Sequence, residues 1–274
     1  MTKEKIITEA KRFTEESQYN YIDKESAICP QYTEMQIFEA PIFAFGAAND
    51  IIFNEFKSPE IIGEMFITPN EWLPDADTVI SFFLPYTDIV KSANSTNYEW
   101  PANEWLHGRY EGQIFLQELM IFLKNLLSDA GQKVMIPTNE KVYNNSSVDI
   151  DGITKFVSNW SERHVAYACG LGTFGLSKGL ITEKGVCGRF GSLLTDLNLP
   201  KDKRKYSDPY EYCTMCGACV HHCPIKAIAL DSGKNSFLCS EFLNKVSEKH
   251  KPRYGCGKCQ VKVPCESRIP RGVL

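Results

Sequence analysis

The sequence predicts an α+β protein in which a mixed α/β domain, residues 1–200, precedes a small cysteine-rich domain, residues 201–274. Three observations indicate this class. The 274 residues are 43% hydrophobic and 23% charged, as in ordinary globular proteins. Both helical and strand patterns occur in the first part of the chain. Eight of the 11 cysteines fall within the last 62 residues.

The first domain contains one clear helix and two candidate strands. Apolar residues recur at helical spacing over 114–127, and Gly131 follows as a stop signal. The runs Thr78–Leu84 and Lys133–Ile136 are apolar, and each is closed by a proline. We therefore expect both strands to be buried and the helix to pack on their sheet.

The composition changes at residues 198–212, which are polar and charged and therefore predict a linker or domain boundary. Residues 206–274 hold 10 Lys and Arg against 6 Asp and Glu (+4). Residues 1–205 hold 20 against 28 (−8). The two parts of the chain thus differ in the sign of their net charge.

Charge and hydropathy exclude several classes of partner. A net charge of −4 argues against a general electrostatic grip on DNA, RNA or anionic lipid. No apolar stretch approaches the roughly eighteen residues of a membrane helix, and the N-terminus has no signal core. We expect a cytoplasmic protein whose partners are small molecules or proteins, not DNA or a membrane.

The cysteine region carries a specific motif. Residues 213–224 follow C-x2-C-x2-C-x3-C-P, the cysteine run of bacterial ferredoxins. In that run three thiolates wrap one cubane, while the fourth points to a second cluster. Cys239, Cys256, Cys259 and Cys265 bring the number of thiolates to eight, enough for two [4Fe–4S] clusters. A pair of structural zinc sites is the alternative, since C-x2-C pairs also bind zinc.

The ferredoxin pattern divides these eight cysteines between two clusters. Cluster 1 takes Cys213, Cys216, Cys219 and Cys265, and cluster 2 takes Cys223, Cys239, Cys256 and Cys259. Cys265 departs from the symmetric pattern because five residues separate it from Cys259 and because Pro264 precedes it. Two adjacent clusters suit the transfer of single electrons from a donor at the surface to an acceptor inside.

A glycine-rich segment precedes the linker. Asn159 and Glu162 predict the N-cap and third position of a short helix that ends at Gly170. Residues 170–175 spell G-x-G-x-x-G, but the dinucleotide fingerprint requires a strand before it, where here a helix is predicted. We interpret the segment as a loop that lets backbone approach a large flat ligand, or as a tight packed turn.

Over residues 75–268 the chain resembles the epoxyqueuosine reductase family and the related reductive dehalogenases. The resemblance depends on the block 158–175 with its Glu162-Arg163 pair and its glycines, on Thr195-Asp-Leu197, and on the order of the eight cysteines. Members of this group hold a cobalamin in an α/β domain similar to the nitroreductase fold, beside a two-cluster ferredoxin domain.

The resemblance implies a corrinoid-dependent reductase in which the clusters deliver low-potential electrons to cobalt, which reduces a small-molecule substrate. A low-potential carrier such as ferredoxin or flavodoxin would supply the electrons. Arg163 matches the family's arginine beneath the cobalt, where a fixed cation helps to keep the corrin base-off. The residues implied to contact cobalamin are Ser158, Arg163, Gly170, Gly172 and Gly175.

Departures from the family concern the reaction. Epoxyqueuosine reductases take a proton from an aspartate shortly before this arginine, and here Phe156 stands at the aligned position, so the proton donor is unknown. The family's Asp-Tyr-His motif leaves at most a remnant at residues 106–108. The chain stops soon after the last cysteine, without the family's tRNA-gripping repeats, so we do not expect tRNA as a substrate. The twin-arginine signal of the dehalogenases is also missing.

Two alternatives stay open. One is a non-catalytic electron carrier or reductive activator that passes electrons to a partner protein's corrinoid or flavin. The other is a flavin enzyme, for which no basic phosphate site stands out. His107 and His164 are alternative proton donors that we expect to be structural, and we expect Cys29, Cys169 and Cys187 to be small core residues. The tryptophans expected in the core are Trp72, Trp100, Trp105 and Trp160.

Overall fold

The computed structural model describes residues 1–150 and 153–272. Its helices are α1 (Lys3–Glu16), α2 (Ile52–Glu55), α3 (Pro69–Trp72), α4 (Asp88–Asn94), α5 (Asn103–Ser128), α6 (Glu162–Cys169), α7 (Ala218–His221) and α8 (Ser236–His250). Its strands are β1 (Ile42–Ala47), β2 (Thr78–Pro85), β3 (Val134–Met135), β4 (Asn145–Ile150), β5 (Ile153–Ser158), β6 (Gly172–Phe174), β7 (Leu180–Thr182), β8 (Gly188–Thr195), β9 (Ile228–Ala229) and β10 (Gly233–Lys234).

An antiparallel sheet in the order β1-β2-β8-β3 forms the centre of the α/β part. Every residue of β2 is buried, because the sheet is covered on both faces. Ile80 and Phe82 pack into a core shared with α1 and α5, whereas Val79 and Phe83 pack into a second core that includes α6. This mixed α/β architecture confirms the class predicted for the first part of the chain.

The predicted elements are confirmed with two changes of extent. The helix expected over 114–127 lies within α5, which begins at Asn103; the glycines and polar residues of 103–113 conceal the earlier turns. The strand Thr78–Leu84 is confirmed as β2. The expected second strand is only Val134–Met135, and its half-buried side chains contradict the buried strand predicted there. The reason is its place at the edge of the sheet, where only β8 pairs with it.

Helix α6 begins two residues later than predicted. Its N-cap is Ser161, and Glu162 is its first residue rather than its third. The Asn159 side chain instead accepts from the Asn144 amide at 2.9 Å and donates to the Val142 carbonyl at 2.7 Å. The predicted end of the helix at Gly170 is confirmed.

The G-x-G-x-x-G segment forms a packed hairpin. Strands β6 and β7 pair directly after α6. A Cβ at Gly172 would lie 1.9 Å from the Ile181 carbonyl oxygen, so the glycine is required by the approach of the neighbouring strand. The interpretation as a tight packed turn is confirmed.

The polar segment before the cysteine region packs along the α/β part. The Asp202 amide donates to the Phe45 carbonyl at 2.8 Å, and Arg204 pairs with Asp50 at 2.7 Å. The cysteine region then docks against α4 and α5, where the Asn94 side chain donates to the Cys256 carbonyl at 2.9 Å. The two parts therefore share a packed interface.

Of the three cysteines without ligand spacing, Cys169 and Cys187 are buried, as predicted. Cys29 is exposed, so the prediction of a core position is wrong for it. Cys29 stands immediately before the surface turn Pro30–Tyr32 and has no place in either core. Within the described ranges, no helix has both the length and the apolar character that crossing a membrane demands.

Candidate functional site

The eight clustered cysteines line two cavities. The surface group, Cys213, Cys216, Cys219 and Cys265, lines a small cavity of about 20 Å³. The interior group, Cys223, Cys239, Cys256 and Cys259, lines a cavity of about 560 Å³ between the α/β part and the cysteine region. These are the two sets that the ferredoxin pattern assigns to clusters 1 and 2.

The thiols fit metal clusters chemically. Burial raises the pKa of Cys219 to about 11 and those of Cys256 and Cys265 to about 12, so these thiols stay protonated at neutral pH until metal displaces the proton. Across the part of the chain that the structure describes, no three His, Cys, Asp or Glu side chains meet at a single-ion position. A zinc ion needs its sulfurs about 2.3 Å away. Thiols placed around a cavity suit a polynuclear cluster better.

The large cavity has walls from both parts of the chain. The α/β part contributes the beginning of α6, the end of β5, the beginning of β8 and one face of α5. The cysteine region contributes α8 and the loop 255–260, which holds two ligands of the interior group. A molecule bound in this cavity therefore contacts the interior group directly.

Arg163 faces this cavity from the first turn of α6. Its side chain lines the cavity wall and is exposed there to solvent. Burial lowers the pKa of Arg163, and the charge of Arg109 lowers it further, whereas Cys259 of the interior group opposes that shift. Its Nη1 donates to the Lys178 carbonyl. Arg163 thus presents a positive charge to the same cavity that the interior thiols line.

The other residues implied to contact cobalamin are distributed unevenly. Ser158 lines the large cavity, and so does Phe156, whose side chain is 48% exposed. Gly175 lines the small cavity beside the surface group. Gly170 and Gly172 are absent from the described walls of both cavities. The structure therefore brings Ser158 and Arg163 together and leaves the three glycines elsewhere.

Glu162 is a cavity residue that sequence reasoning placed only as a helix-cap element. Neither of its carboxylate oxygens has a hydrogen-bond partner among the described residues, although Trp160 and Ser192 lie beside it. The Trp160 indole donates instead to Ser192 at 3.0 Å. Burial raises the pKa of Glu162 to about 7, so this group holds or releases a proton near neutral pH. In the sequence, the feature that could have indicated Glu162 as a cavity residue was its position directly before Arg163.

The two histidines considered as proton donors differ in position. His164 lines the cavity and pairs with the Ser161 hydroxyl at 2.7 Å, and burial lowers its pKa to about 3, so it is neutral. His107 lies away from the described cavity walls, between Glu111 at 3.0 Å and the Ile28 amide at 3.2 Å. The structural role expected of His107 is confirmed.

Unpartnered polar groups concentrate around the large cavity. Trp105 Nε1, Arg109 Nη1, Arg189 Nε and both Glu162 oxygens are buried, line this cavity and have no partner among the described residues. Buried polar groups of folded proteins are nearly always hydrogen-bonded, so this set indicates a site for a polar ligand. The cavity, with Arg163 and the interior thiols in its wall, fits a large cofactor such as a corrinoid and leaves polar wall groups for a second ligand.

The comparisons with known proteins agree with the cysteine pattern. A family model for the 4Fe–4S binding domain matches residues 209–229. The chain is 25% identical over 215 residues to epoxyqueuosine reductase from Lactococcus garvieae, covering 74% of this chain and 56% of that protein. It is 27% identical over 217 residues to the Aliivibrio fischeri enzyme, covering 74% and 53%. The chain thus spans about half the length of the curated relatives that it matches.

Solved structures share the fold. The structure of epoxyqueuosine reductase from Bacillus subtilis is 19% identical and covers 99% of this chain and 67% of that one, with a TM-score of 0.53. A catabolic reductive dehalogenase in complex with 3-bromo-4-hydroxybenzoic acid is 13% identical and covers 85% and 30%, with a TM-score of 0.54. An epoxyqueuosine reductase with a modified tRNA stem loop also shares the fold at a TM-score of 0.53.

The last neighbour bears on the substrate. Because a protein of this fold is solved with tRNA, the expectation that tRNA is not a substrate of this chain is not confirmed. The resemblance predicted from the sequence is confirmed: the chain is similar to epoxyqueuosine reductases, matches the 4Fe–4S binding domain over residues 209–229, and shares its fold with solved epoxyqueuosine reductases and reductive dehalogenases.

Proposed function

We propose that this protein is a corrinoid-dependent iron–sulfur reductase acting on a small molecule. Two [4Fe–4S] clusters, held by the surface and interior groups, carry electrons one at a time into the large cavity. When bound there, the corrinoid supplies a low-potential cobalt centre that reduces the substrate. The observation that carries the proposal is that one cavity is lined by the interior thiols, by Arg163 and by Glu162.

The roles of the chain's own groups follow from their positions. Arg163 presents a fixed positive charge to the cavity and is held by the Lys178 carbonyl. Trp105 packs against Gly257 and thereby keeps the ligand loop of the interior group against the cavity. Glu162, with its pKa near 7, replaces the missing aspartate at Phe156 as the proton-holding group. We also propose that the α/β part has a nitroreductase-like fold and that the boundary between the two domains lies at residue 200.

Titration with cob(II)alamin tests the proposal. The iron-loaded protein is titrated anaerobically while absorption and electron paramagnetic resonance are recorded and iron is counted on the same sample. We expect about eight irons per chain and tight binding with a base-off cobalt signal. The Arg163→Ala variant should bind at least about tenfold more weakly, because hydrogen bonds from a charged group contribute roughly 1.5–3 kcal/mol.

Arg12→Ala is the matched control, since Arg12 lies on the exposed face of α1 and pairs with Glu9 and Glu16. It should bind cob(II)alamin like the unaltered protein. Full iron loading without corrinoid binding would contradict the proposal. That result would favour the electron carrier, and turnover would then require a partner protein.

A further inference from the structure

One corner of the large cavity contains hydrogen-bond donors without acceptors. We call it the donor corner: Trp105 and Arg109 from α5, Arg189 from β8, and the ring of Tyr86. Trp105 and Arg109 are four residues apart and therefore share one face of the helix. Arg189 joins them because its Nη2 donates to Gln113, one turn further along α5. The packing of α5 against β8 therefore forms the donor corner.

The free donors of this corner are buried. Trp105 Nε1, Arg109 Nη1 and Arg189 Nε each lack a partner among the described residues. The Tyr86 hydroxyl is already used, since it donates to the Gly108 carbonyl at 3.1 Å. An indole N–H and two guanidinium groups have no acceptor atoms of their own. Their partners must therefore be acceptor atoms from outside the described residues, such as the oxygens of a bound ligand.

The chain offers the two arginines no counter-charge. Within residues 1–150 and 153–272, no carboxylate lies at ion-pair distance from Arg109 or Arg189. Glu162 is the acid among the described wall residues, whereas Arg109, Arg163, Arg189, Lys234 and Lys258 are bases. Burying unpaired cations is costly, so such an excess of positive charge favours an anionic ligand.

The interior group accounts for part of this charge, because Cys259 interacts with the charges of Arg163 and Lys234, and Cys256 with that of Lys258. The two arginines of the donor corner are the remaining bases of the wall. Arg109 is turned elsewhere, with its guanidinium carbon 4.7 Å from the centre of the Tyr254 ring. Arg109 also contacts Gly255, where any side chain would collide with it. The arginine is thereby held in place, with its Nη1 buried and without a partner among the described residues.

We propose that the donor corner binds an oxyanion, a carboxylate or phosphate group, of the substrate. Two guanidiniums and an indole N–H match the several oxygens of such a group, and the rings of Tyr86 and Trp105 form an apolar wall beside it. The identification of this anion as the substrate's rests on the proposed function. The anion site itself stands on the geometry of the corner.

Calorimetry with two simple probes tests the site. Sodium benzoate and inorganic phosphate are titrated separately into iron-loaded protein with cob(II)alamin bound and into iron-loaded protein without it, at constant ionic strength. Arg109→Gln and Arg189→Gln should each weaken the better probe by about tenfold to a hundredfold, as expected for loss of a charge-assisted hydrogen bond. Trp105→Phe, which removes one donor and keeps the ring, should weaken it less. Arg12→Gln, which removes the same charge from an exposed surface, should leave it unchanged.

The outcomes separate this inference from the proposed function. Weakened anion binding with unchanged cob(II)alamin affinity supports the donor corner as a substrate site. Loss of cob(II)alamin binding in Arg109→Gln and Arg189→Gln, without an effect on either anion, overturns it, since the arginines would then hold the corrinoid. Failure of both probes to bind also overturns it. Arginine-dependent anion binding in a protein that binds no corrinoid would support the site and contradict the proposed function.

Discussion

The surface and interior groups of cysteines use the same ligand chemistry in opposite surroundings. In the surface group Cys216 is exposed, and the neighbouring Met215 is 45% exposed. The interior group faces a cavity of about 560 Å³ and is held by α4 and α5 through Asn94 and Trp105. Under the proposed function, this contrast predicts a direction: electrons enter at the exposed group and leave at the group that faces the cavity.

The largest expected effect separates the two groups by their iron. Cys216→Ser and Cys256→Ser should each lower the iron content from about eight to about four per chain. Only Cys256→Ser should also remove the coupling to bound cob(II)alamin, because its cluster faces the cavity. Iron analysis and electron paramagnetic resonance on both variants measure this. Equal loss of coupling in both variants would contradict the conclusion that only the interior group faces the bound corrinoid.

Two glycines, one in the loop of each cysteine group, should differ in how much an added side chain lowers the stability of the protein. Gly257, in the interior loop, has φ +66 and would place a Cβ 1.9 Å from the Trp105 ring. Gly217, in the surface loop, has φ +73 but would only touch Leu230 at 3.4 Å. We expect Gly257→Ala to cost about 3 kcal/mol through backbone strain and overpacking, and Gly217→Ala about 1 kcal/mol through strain alone. Thermal unfolding of the iron-loaded variants tests the order, and equal melting temperatures would contradict it.

Two glutamates, one buried and one on the surface side, should give the stability of the protein opposite dependences on pH. The folded pKa of Glu162 is about 7 against an ordinary value of 4.5, so its stabilisation is full below pH 4.5 and is lost as the pH rises through 7. Glu162→Gln should therefore be more stable than the unaltered protein at pH 8, by about 2 to 3 kcal/mol, and equally stable near pH 5. A difference that does not change with pH would contradict the burial of this carboxylate.

Glu211, on the surface side, is the matched control with the opposite sign. The Ser207 and Asp208 amides donate to Glu211 and lower its pKa. Its stabilisation is present above the ordinary pKa and is lost as the pH falls. Glu211→Gln should therefore be less stable than the unaltered protein at neutral pH, and the difference should shrink in acid. Melting temperatures over the same pH series measure both variants.

The smallest expected effect concerns reduction potential. Lys258 lies between two interior ligands, is 1% exposed, and donates to the Asn94 carbonyl at 2.7 Å. Burial lowers its pKa to about 8, so it remains charged at pH 7. Lys258→Met should make the interior cluster harder to reduce, by on the order of 60 mV, a tenfold change for a one-electron couple. Lys262→Met, at an exposed lysine whose ammonium donates to the Tyr98 hydroxyl at 3.2 Å, should shift the potential of the interior cluster much less, and equal shifts would contradict this expectation.

Several elements of the fold could be predicted from patterns within single segments of the sequence. Strand β2, the apolar part of α5 and the end of α6 at Gly170 follow from periodicity and stop signals within single segments. The grouping of the cysteines by cavity also follows the spacing of one motif and its distant partners. Elements at the edge of the sheet were predicted less well, since β3 is half-buried where a buried strand was expected.

The walls of the large cavity could not be predicted. Arg109 and Arg189 lie far apart in the sequence and meet only because β8 packs beside α5. Locally, each is only a cation within a largely buried helix or strand, which does not distinguish it from a surface residue. Glu162 was assigned as a capping residue because its burial depends on Trp160 and Ser192, which only the tertiary fold brings to it. Sites between elements need the packing that brings them together.

Magnetic coupling between the interior cluster and a bound corrinoid tests the account most directly. Cob(II)alamin is bound to the iron-loaded protein, and its electron paramagnetic resonance signal is recorded before and after stepwise reduction of the clusters. We predict a base-off signal that broadens when the interior cluster is reduced, and the same broadening in Cys216→Ser. A corrinoid signal that stays unchanged while both clusters are reduced would contradict the path from the surface group to the cavity.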